Sequence, residues 1–319
     1  MKNQITVKMK KTLIVGTVAY DDIETAQGSS GRILGGSGTY IALACSHFKT
    51  LSSVVSVVGG DFEQRHIDLL NKKGVKTSSI EIISNGKTFY WKGKYHKNWN
   101  KRDTIITELN VLEKFNPVVS EEFKNPFIAV LGNLHPLVQK SVLDQLKTNP
   151  KAIILDTMNF WMDTALEDLK NVIKRVNIIV INDEEAKQLS GKTSLVEASK
   201  EILKLGPQYI IIKKGENGAT LFGDNQHFNL PAFPVKKVID PTGAGDTFAG
   251  GLTGFLSEQE EINFRSLKEA MVYGTIMASF CVENFGTLSM ENLDKQEISN
   301  RLREYKNKTQ NFFKKRFNK

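Results

Sequence analysis

Asp240-Pro241-Thr242-Gly243-Ala244-Gly245-Asp246-Thr247-Phe248-Ala249-Gly250-Gly251 governs the reading of the whole chain. Two glycines and an alanine leave the backbone N–H groups of residues 243–245 unobstructed. From Asp246 onward, Phe248, Ala249, Leu252 and Phe255 recur at the spacing of a buried helix. A bare loop thus feeds a helix N-terminus, where free amides and the helix dipole create an anion site. A carboxylate beside an anion site is electrostatically unfavourable unless it has a task. The task that fits is to take the proton of a hydroxyl that attacks the anion, which makes this a phosphoryl-transfer site with Asp246 as the base. The plainer alternative is a first-turn acid on a glycine-started helix.

Outward from this motif, short blocks rich in Val, Ile and Leu recur at 13–15, 54–58, 127–131, 152–155, 178–181 and 209–213. Continuous apolar runs of that length mark strands buried on both faces. Amphipathic segments at 61–73, 136–146, 165–175, 184–190 and 196–205 lie between them, and 267–282 reads as a long, largely buried helix. This alternation predicts a parallel sheet covered by helices. Residues 80–108 break the rhythm. Segments 80–83, 88–95 and 104–107 read as exposed strands, with Asn85-Gly86 as a turn. A polar β piece carrying Phe89, Tyr90, Trp91, Tyr95 and Trp99 is a candidate lid over a site. Its aromatic density points to a covered surface or a subunit contact.

Residues 240–251 closely resemble the C-terminal signature of the ribokinase/PfkB family of carbohydrate and nucleoside kinases, Asp-x-x-Gly-Ala-Gly-Asp followed by small residues. The resemblance covers about residues 12–290. It implies an α/β fold, a three-layer α/β/α sandwich with a mostly parallel central sheet. A single kinase domain over 1–319 would carry a small β-sheet lid from segments near 17–34 and 80–108 and a basic C-terminal helix or tail over 291–319. The implied reaction is transfer of the γ-phosphoryl group of ATP to an alcohol, with Mg²⁺ and room for a monovalent cation. In that account Asp246 accepts the hydroxyl proton and the amides of Gly243, Ala244 and Gly245 stabilise charge on the transferred group.

The same resemblance assigns further residues. Asp21, after the first strand, would bind substrate hydroxyls. Gly35-Gly36-Ser37-Gly38-Thr39-Tyr40 is similar to the family's N-terminal Gly-Gly motif, with Tyr40 standing where an Asn usually contacts the sugar and Ala19 where another Asn is often seen. Asn182-Asp183-Glu184-Glu185 resembles the Asn-x-x-Glu motif that organises water, Mg²⁺ and phosphate, which places Asn182 near the nucleotide and Glu185 near the metal. The same four residues also satisfy the pattern of a capping box. Lys213-Lys214-Gly215-Glu216-Asn217-Gly218-Ala219 matches the glycine turn near the nucleotide, with Lys214, Gly215 and Gly218 as its nucleotide contacts; Asn284 falls in the segment flanking the adenine pocket, and Thr242 lies on the anion loop. Asn133, and Asn159 of Asp156-Thr157-Met158-Asn159, end strands and are substrate-pocket candidates; the latter differs from the family's Asp-x-Asn motif by one residue and lacks its usual Arg.

A sugar or sugar derivative is the acceptor this resemblance favours. A nucleoside is the alternative, because Tyr40 and the aromatic lid could stack on a base. A non-catalytic relative would be expected to lose the base or the anion loop, yet Asp246, Gly243 and Gly245 are all present. Family precedent allows a homodimer through the lid.

Composition bounds the remaining choices. The chain has 319 residues, 40% apolar and 24% charged, as expected of a globular protein with a sizeable core. No apolar run approaches the roughly 20 residues that cross a bilayer. Lys2, Lys8, Lys10 and Lys11 precede a short β-like run, which reads as a first strand, not a signal peptide. Cys45 and Cys281 sit in apolar helical contexts, as buried thiols do in a reducing cytoplasm. Much of the net charge of +8 lies in Arg301, Arg303, Lys306, Lys308, Lys314, Lys315, Arg316 and Lys319, interleaved with Phe312, Phe313 and Phe317. That pattern reads as a solvated helix face, so no nucleic-acid or membrane partner is expected. Gly86-Lys87-Thr88 and Gly191-Lys192-Thr193 imitate the end of a P-loop, but Glu81 and Ala186 stand where its first Gly is required. The five histidines and two cysteines show no metal-ligand spacing.

Overall fold

The computed structural model describes residues 9–317 except 97 and 100, with side chains to residue 309. The expectations placed on Lys2 and Lys8, and on the side chains of Phe312, Phe313, Lys314, Lys315, Arg316, Phe317 and Lys319, lie outside the described residues. Strand β1 (Lys11–Val15) is followed by β2 (Ala19–Thr25), β3 (Gly28–Gly35), α1 (Ser37–Cys45) and β4 (Leu51–Gly59). Next come α2 (Gln64–Lys72), β5 (Ile80–Ile83), β6 (Tyr90–Tyr95) and β7 (Arg102–Glu108). The middle of the chain supplies β8 (Ile128–Leu131), α3 (Pro136–Asp144), β9 (Ala152–Leu155), α4 (Asn159–Thr164), α5 (Leu166–Ile173) and β10 (Ile178–Asn182). After α6 (Asp183–Ser190) and α7 (Leu195–Leu203) come β11 (Tyr209–Lys213), β12 (Ala219–Gly223) and β13 (Gln226–Leu230). The last elements are α8 (Ala244–Ser257), α9 (Phe264–Cys281), α10 (Leu288–Asn292) and α11 (Lys295–Phe317).

Nine strands form one sheet in the order β13-β12-β11-β10-β9-β8-β1-β4-β5. All pairings from β11 to β5 are parallel, and β12 and β13 add an antiparallel edge. Successive residues of each parallel strand point to opposite faces, and both faces are dry. Ile14, Val54, Val130, Ile154, Val180 and Ile211 pack with Ile41 of α1, Leu252 of α8 and Met277 of α9. Leu13, Val55, Leu131, Leu155, Ile179 and Ile212 pack on the other side with Val142 of α3, Leu169 of α5 and Ile202 of α7. Fully burying one such side chain is worth about 1.5–3 kcal/mol, so the two layers hold the strands in one register. Parallel strands end on the same edge. The residues after Val15, Leu131 and Leu155, together with Asn182 and Lys213 at their strand ends, are therefore gathered along that edge.

A second sheet of four strands, in the order β3-β2-β6-β7, stands apart. β2 pairs antiparallel with β3 and parallel with β6, and β6 antiparallel with β7. Segments 17–34 and 88–108 thus meet as expected, but 80–83 does not join them. β5 extends the large sheet instead, pairing parallel with β4 (Ser56↔Ile80, Gly59↔Ile83). The cause of that mismatch is edge placement: Ile80 is buried while Glu81, Ile82 and Ile83 face solvent. An edge strand open on one side has the same mixed pattern as a strand of a small exposed sheet. Among the described residues, no helix is long and apolar enough to cross a membrane.

Candidate active site

Helix α8 starts where the glycine loop ends. Gly243 is its N-cap, with φ 72° and ψ 0°, a left-handed conformation that costs glycine nothing. The Tyr40 ring lies against it: a Cβ at 243 would stand 2.4 Å from a ring carbon. The Ala244 N–H donates back to the Pro241 carbonyl at 3.2 Å, and the Thr242 N–H donates to Asp240 Oδ1 at 2.8 Å. The Gly243 and Gly245 amides have no acceptor among the described residues. Of the three amides expected to face an anion, these two are free and that of Ala244 is turned into the loop.

Asp240 is the brace of this loop. It is fully buried, and its second oxygen accepts the Gly286 N–H at 3.0 Å, tying the loop to the segment after α9. Burial raises its pKa and the two amides oppose that rise. Asp240→Ala should strip both donors and destabilise the fold by about 2–6 kcal/mol, each buried unsatisfied donor costing about 1–3 kcal/mol. Asp240→Asn, which keeps an acceptor and loses the buried charge, should cost clearly less. Thermal unfolding of both variants tests this, and equal losses would show that the loop does not depend on those bonds.

Asp246 lies in the first turn of α8 and is half-buried. Burial, and then the nearby Asp156 carboxylate, push its pKa to about 7 against the pull of Lys213 and Arg102. Lys213, the last residue of β11, donates to Asp156 Oδ2 at 2.9 Å. Its Nζ would also stand 2.9 Å from a Cβ placed on Gly245. Glu185 is buried and likewise raised to about 7, chiefly by burial, with Lys213 opposing. One of its oxygens accepts the Asn182 N–H at 2.8 Å, while Asn182 Oδ1 accepts the Glu185 N–H at 2.8 Å. The Asn182–Glu185 pair therefore is a capping box, and it also sets a carboxylate beside the loop.

On the other side of the loop, Asp21 projects from β2. It is 5% exposed, accepts the Gly36 N–H, and is raised to about 7 by burial above all, with Asp240 and Asp246 adding. A Cβ on Gly35 would lie 1.9 Å from its Oδ2, so only glycine leaves room for that carboxylate. Gly36 caps α1. Tyr40, 1% exposed, has no partner for its hydroxyl among the described residues. Its pKa is driven well up by burial and then by Asp21. The small sheet reaches the loop through Tyr95, whose Oη takes the Thr242 hydroxyl at 3.3 Å. Arg102 pairs with Tyr95 across β6 and β7, and its guanidinium lies 5.6 Å from the Trp91 ring centroid.

The remaining expected residues are less uniform. Lys214, Gly215 and Gly218 form a tight turn after β11, closed by the Lys214 N–H on the Gly218 carbonyl at 2.7 Å. Asn284 donates to Ser289 at 2.9 Å, in the segment that Asp240 secures. Asn133 is engaged within the protein: its Oδ1 accepts Trp161 Nε1 at 2.7 Å and its Nδ2 lies 3.1 Å from the Met158 sulfur. Asn159 pairs with Gln188 of α6. Neither amide points to the carboxylates around the loop. Arg102, which the sequence did not single out, completes the site, together with Lys213, Tyr95, Asp156 and Asp240 in roles that were not assigned to them.

A parallel α/β core, a glycine loop feeding a helix with a carboxylate in its first turn, and a small sheet touching that loop define a phosphotransferase of the ribokinase-like fold. The chain matches the family described as pfkB family carbohydrate kinase over residues 9–293 and belongs to that family. It is thus a kinase whose acceptor is an alcohol group of a sugar or a nucleoside. It is 24% identical over 288 residues to a cytidine kinase of Thermococcus kodakarensis, covering 88% of this chain and 99% of that one. Among solved structures, a nucleoside kinase of Methanocaldococcus jannaschii superposes with a TM-score of 0.75 at 20% identity, covering 93% of this chain and 99% of that one. A candidate ribokinase II of Escherichia coli, in complex with ATP and Mg²⁺, superposes with a TM-score of 0.77 at 20% identity over 93% of this chain and 100% of that one. At these identities the structural likeness speaks for the fold.

Proposed function

We propose that this protein transfers the γ-phosphoryl group of ATP to a hydroxyl of a sugar or sugar derivative, with Asp246 as general base and the free amides of Gly243 and Gly245 as the anion hole. The observation that carries this reading is the pairing of two amides without acceptors and a half-buried carboxylate of raised pKa within one helix turn. Asp21 orients the acceptor, Tyr40 supports the loop from beneath Gly243, and the small sheet closes over the acceptor as a lid. The acceptor hydroxyl gives its proton to Asp246 as its oxygen bonds to phosphorus and the bond to the leaving ADP oxygen breaks. The amides hold the charge of the group in flight, a contribution of about 10²–10³ in rate per donor. The turn at Lys214–Gly215–Gly218, Thr242, Asn182 and Asn284 form the nucleotide side.

Among the described residues, no group of three or more His, Cys, Asp or Glu side chains could hold a metal alone. Mg²⁺ carried on phosphates needs only one or two carboxylates and keeps its waters. Glu185, buried beside the loop, fits that demand. When bound, the ion would offset phosphate charge.

A nucleoside acceptor is the second reading. It is supported by the cytidine kinase relative and by Trp91, which sits opposite Asp21 in the small sheet and so shares its face. ADP release from Mg-ATP against a panel of sugars and nucleosides tests both. Turnover on one class, absent in Asp246→Asn, supports the reading and selects the acceptor; ATP binding with no turnover on any member would count against it. Because Asp246 must be ionised to act, kcat/KM should rise with pH through about 7 and level off above about 8. A profile that stays flat across that range would remove Asp246 as the base.

A further inference from the structure

Lys213 carries more than the site described so far requires of it. Its side chain is 17% exposed and that of Asp156 is 7% exposed. A lysine so enclosed is rare unless paired, and a buried ion pair is in itself weak support for a fold. The ammonium has three donors, and Asp156 takes one of them. No other acceptor for Lys213 occurs among the described residues. Asp156 is itself held, its Oδ1 accepting the Thr157 N–H at 3.0 Å. The clamp therefore fixes the ammonium with two N–H groups unused, 2.9 Å from where a Cβ of residue 245 would stand. That place adjoins one of the two free amides of the anion loop. Glu185 and Asp246 are both close enough to act on Lys213, and Arg102, on the small sheet, is the other cation that acts on these two carboxyls. A phosphoryl group entering among such carboxylates needs a fixed positive charge beside it.

We infer, on the footing of the kinase reading above, that Lys213 is a catalytic residue whose ammonium donates to an oxygen of the phosphoryl group in flight at Gly245, and that Asp156 is the positioning residue that aims it. Lys213 keeps its proton throughout. The acceptor oxygen–phosphorus bond forms, the bond to the ADP oxygen breaks, the acceptor proton goes to Asp246, and Lys213 neutralises charge on the oxygens between.

The test uses the full chain and needs no known acceptor. Affinity for Mg-ADP is measured by calorimetry with and without aluminium fluoride, which mimics the planar group in transfer. Aluminium fluoride should tighten Mg-ADP binding to the wild type. Lys213→Met should lose that tightening by about 10²-fold, the scale of one removed anion-site donor, while binding Mg-ADP alone within about threefold of wild type. Asp156→Asn should lose a smaller part. Lys213→Met/Asp156→Asn should be no worse than Lys213→Met, because Asp156 acts only through the lysine. The double variant also removes the unpaired buried carboxylate, so it carries the same comparison if Lys213→Met alone does not fold. Tightening retained in Lys213→Met, or losses that add fully in the double variant, would overturn the assignment of Lys213 alone. Absence of tightening in the wild type would overturn the kinase reading with it.

Discussion

Asp246→Asn should lower kcat by about 10²–10⁴-fold, the usual contribution of a positioned general base, while ATP binding stays close to that of the wild type. The two side chains have the same shape, and the free amides of Gly243 and Gly245 belong to the backbone. The asparagine amide has no basic oxygen to take the acceptor proton. The same substitution should stabilise the fold at alkaline pH. Burial raises this carboxyl from 3.8 to about 7 in the folded state. Between those values the folded protein holds a proton that the unfolded chain has released. The group's contribution to stability is therefore fully present below about pH 4 and is lost as pH rises towards 7. Above that, the wild type carries a partly enclosed charge that the variant lacks. Thermal melts at about pH 5 and pH 8 should show the gain in Tm chiefly at the higher value, on the order of a few degrees for about 1 kcal/mol. An inactive Asp246→Asn that is less stable at both pH values would mean that the variant lost its structure, not its base.

Gly243→Ala should be the most damaging single substitution in the loop. Two costs coincide at this position. The backbone holds φ at 72°, where a side chain is strained by about 1–3 kcal/mol. The new Cβ would also stand 2.4 to 2.5 Å from three carbons of the Tyr40 ring. Tyr40 is 1% exposed and has no room to withdraw, so overpacking adds about 1–3 kcal/mol more. Relief requires the loop to move, and a shift of about 1 Å in a catalytic group can cost about 10²-fold in rate. Steady-state kinetics together with thermal unfolding should show kcat and Tm falling together. A variant that keeps wild-type kcat would mean that the anion loop tolerates displacement.

The core strands and the α8 loop were legible in the sequence because their signals are local. Continuous apolar runs declare strands buried on both faces, and Gly243-Ala244-Gly245-Asp246 packs a turn, free amides and an acid into four residues. Ile80–Ile83 was misplaced because its exposure pattern at a sheet edge is that of a strand in a small sheet. Lys213 was passed over in favour of Lys214 for a related reason. A lysine at a strand end normally serves solubility, and nothing near it in the chain reveals its partner Asp156, 57 residues earlier. Arg102 and Tyr95 become part of the site only through the β6–β7 pairing and the contact with Thr242. Asn133 shows the converse: its position after a strand invites a ligand role, but Trp161 and Met158 occupy its amide.

The separate four-stranded sheet divides labour within the chain. The groups proposed to move the phosphoryl group and its proton stand on α8 and at the strand ends of the large sheet. Asp21, Trp91, Tyr95 and Arg102 stand on the other sheet, which meets the α8 loop through the Tyr95–Thr242 contact. Side chains on β6 and β7 other than Tyr95 and Arg102 can therefore be exchanged without disturbing the core on which the chemistry depends. Such a scaffold lets acceptor preference drift while the transfer step stays the same, so the edge of the smaller sheet is the place to begin in redirecting this kinase to a new alcohol.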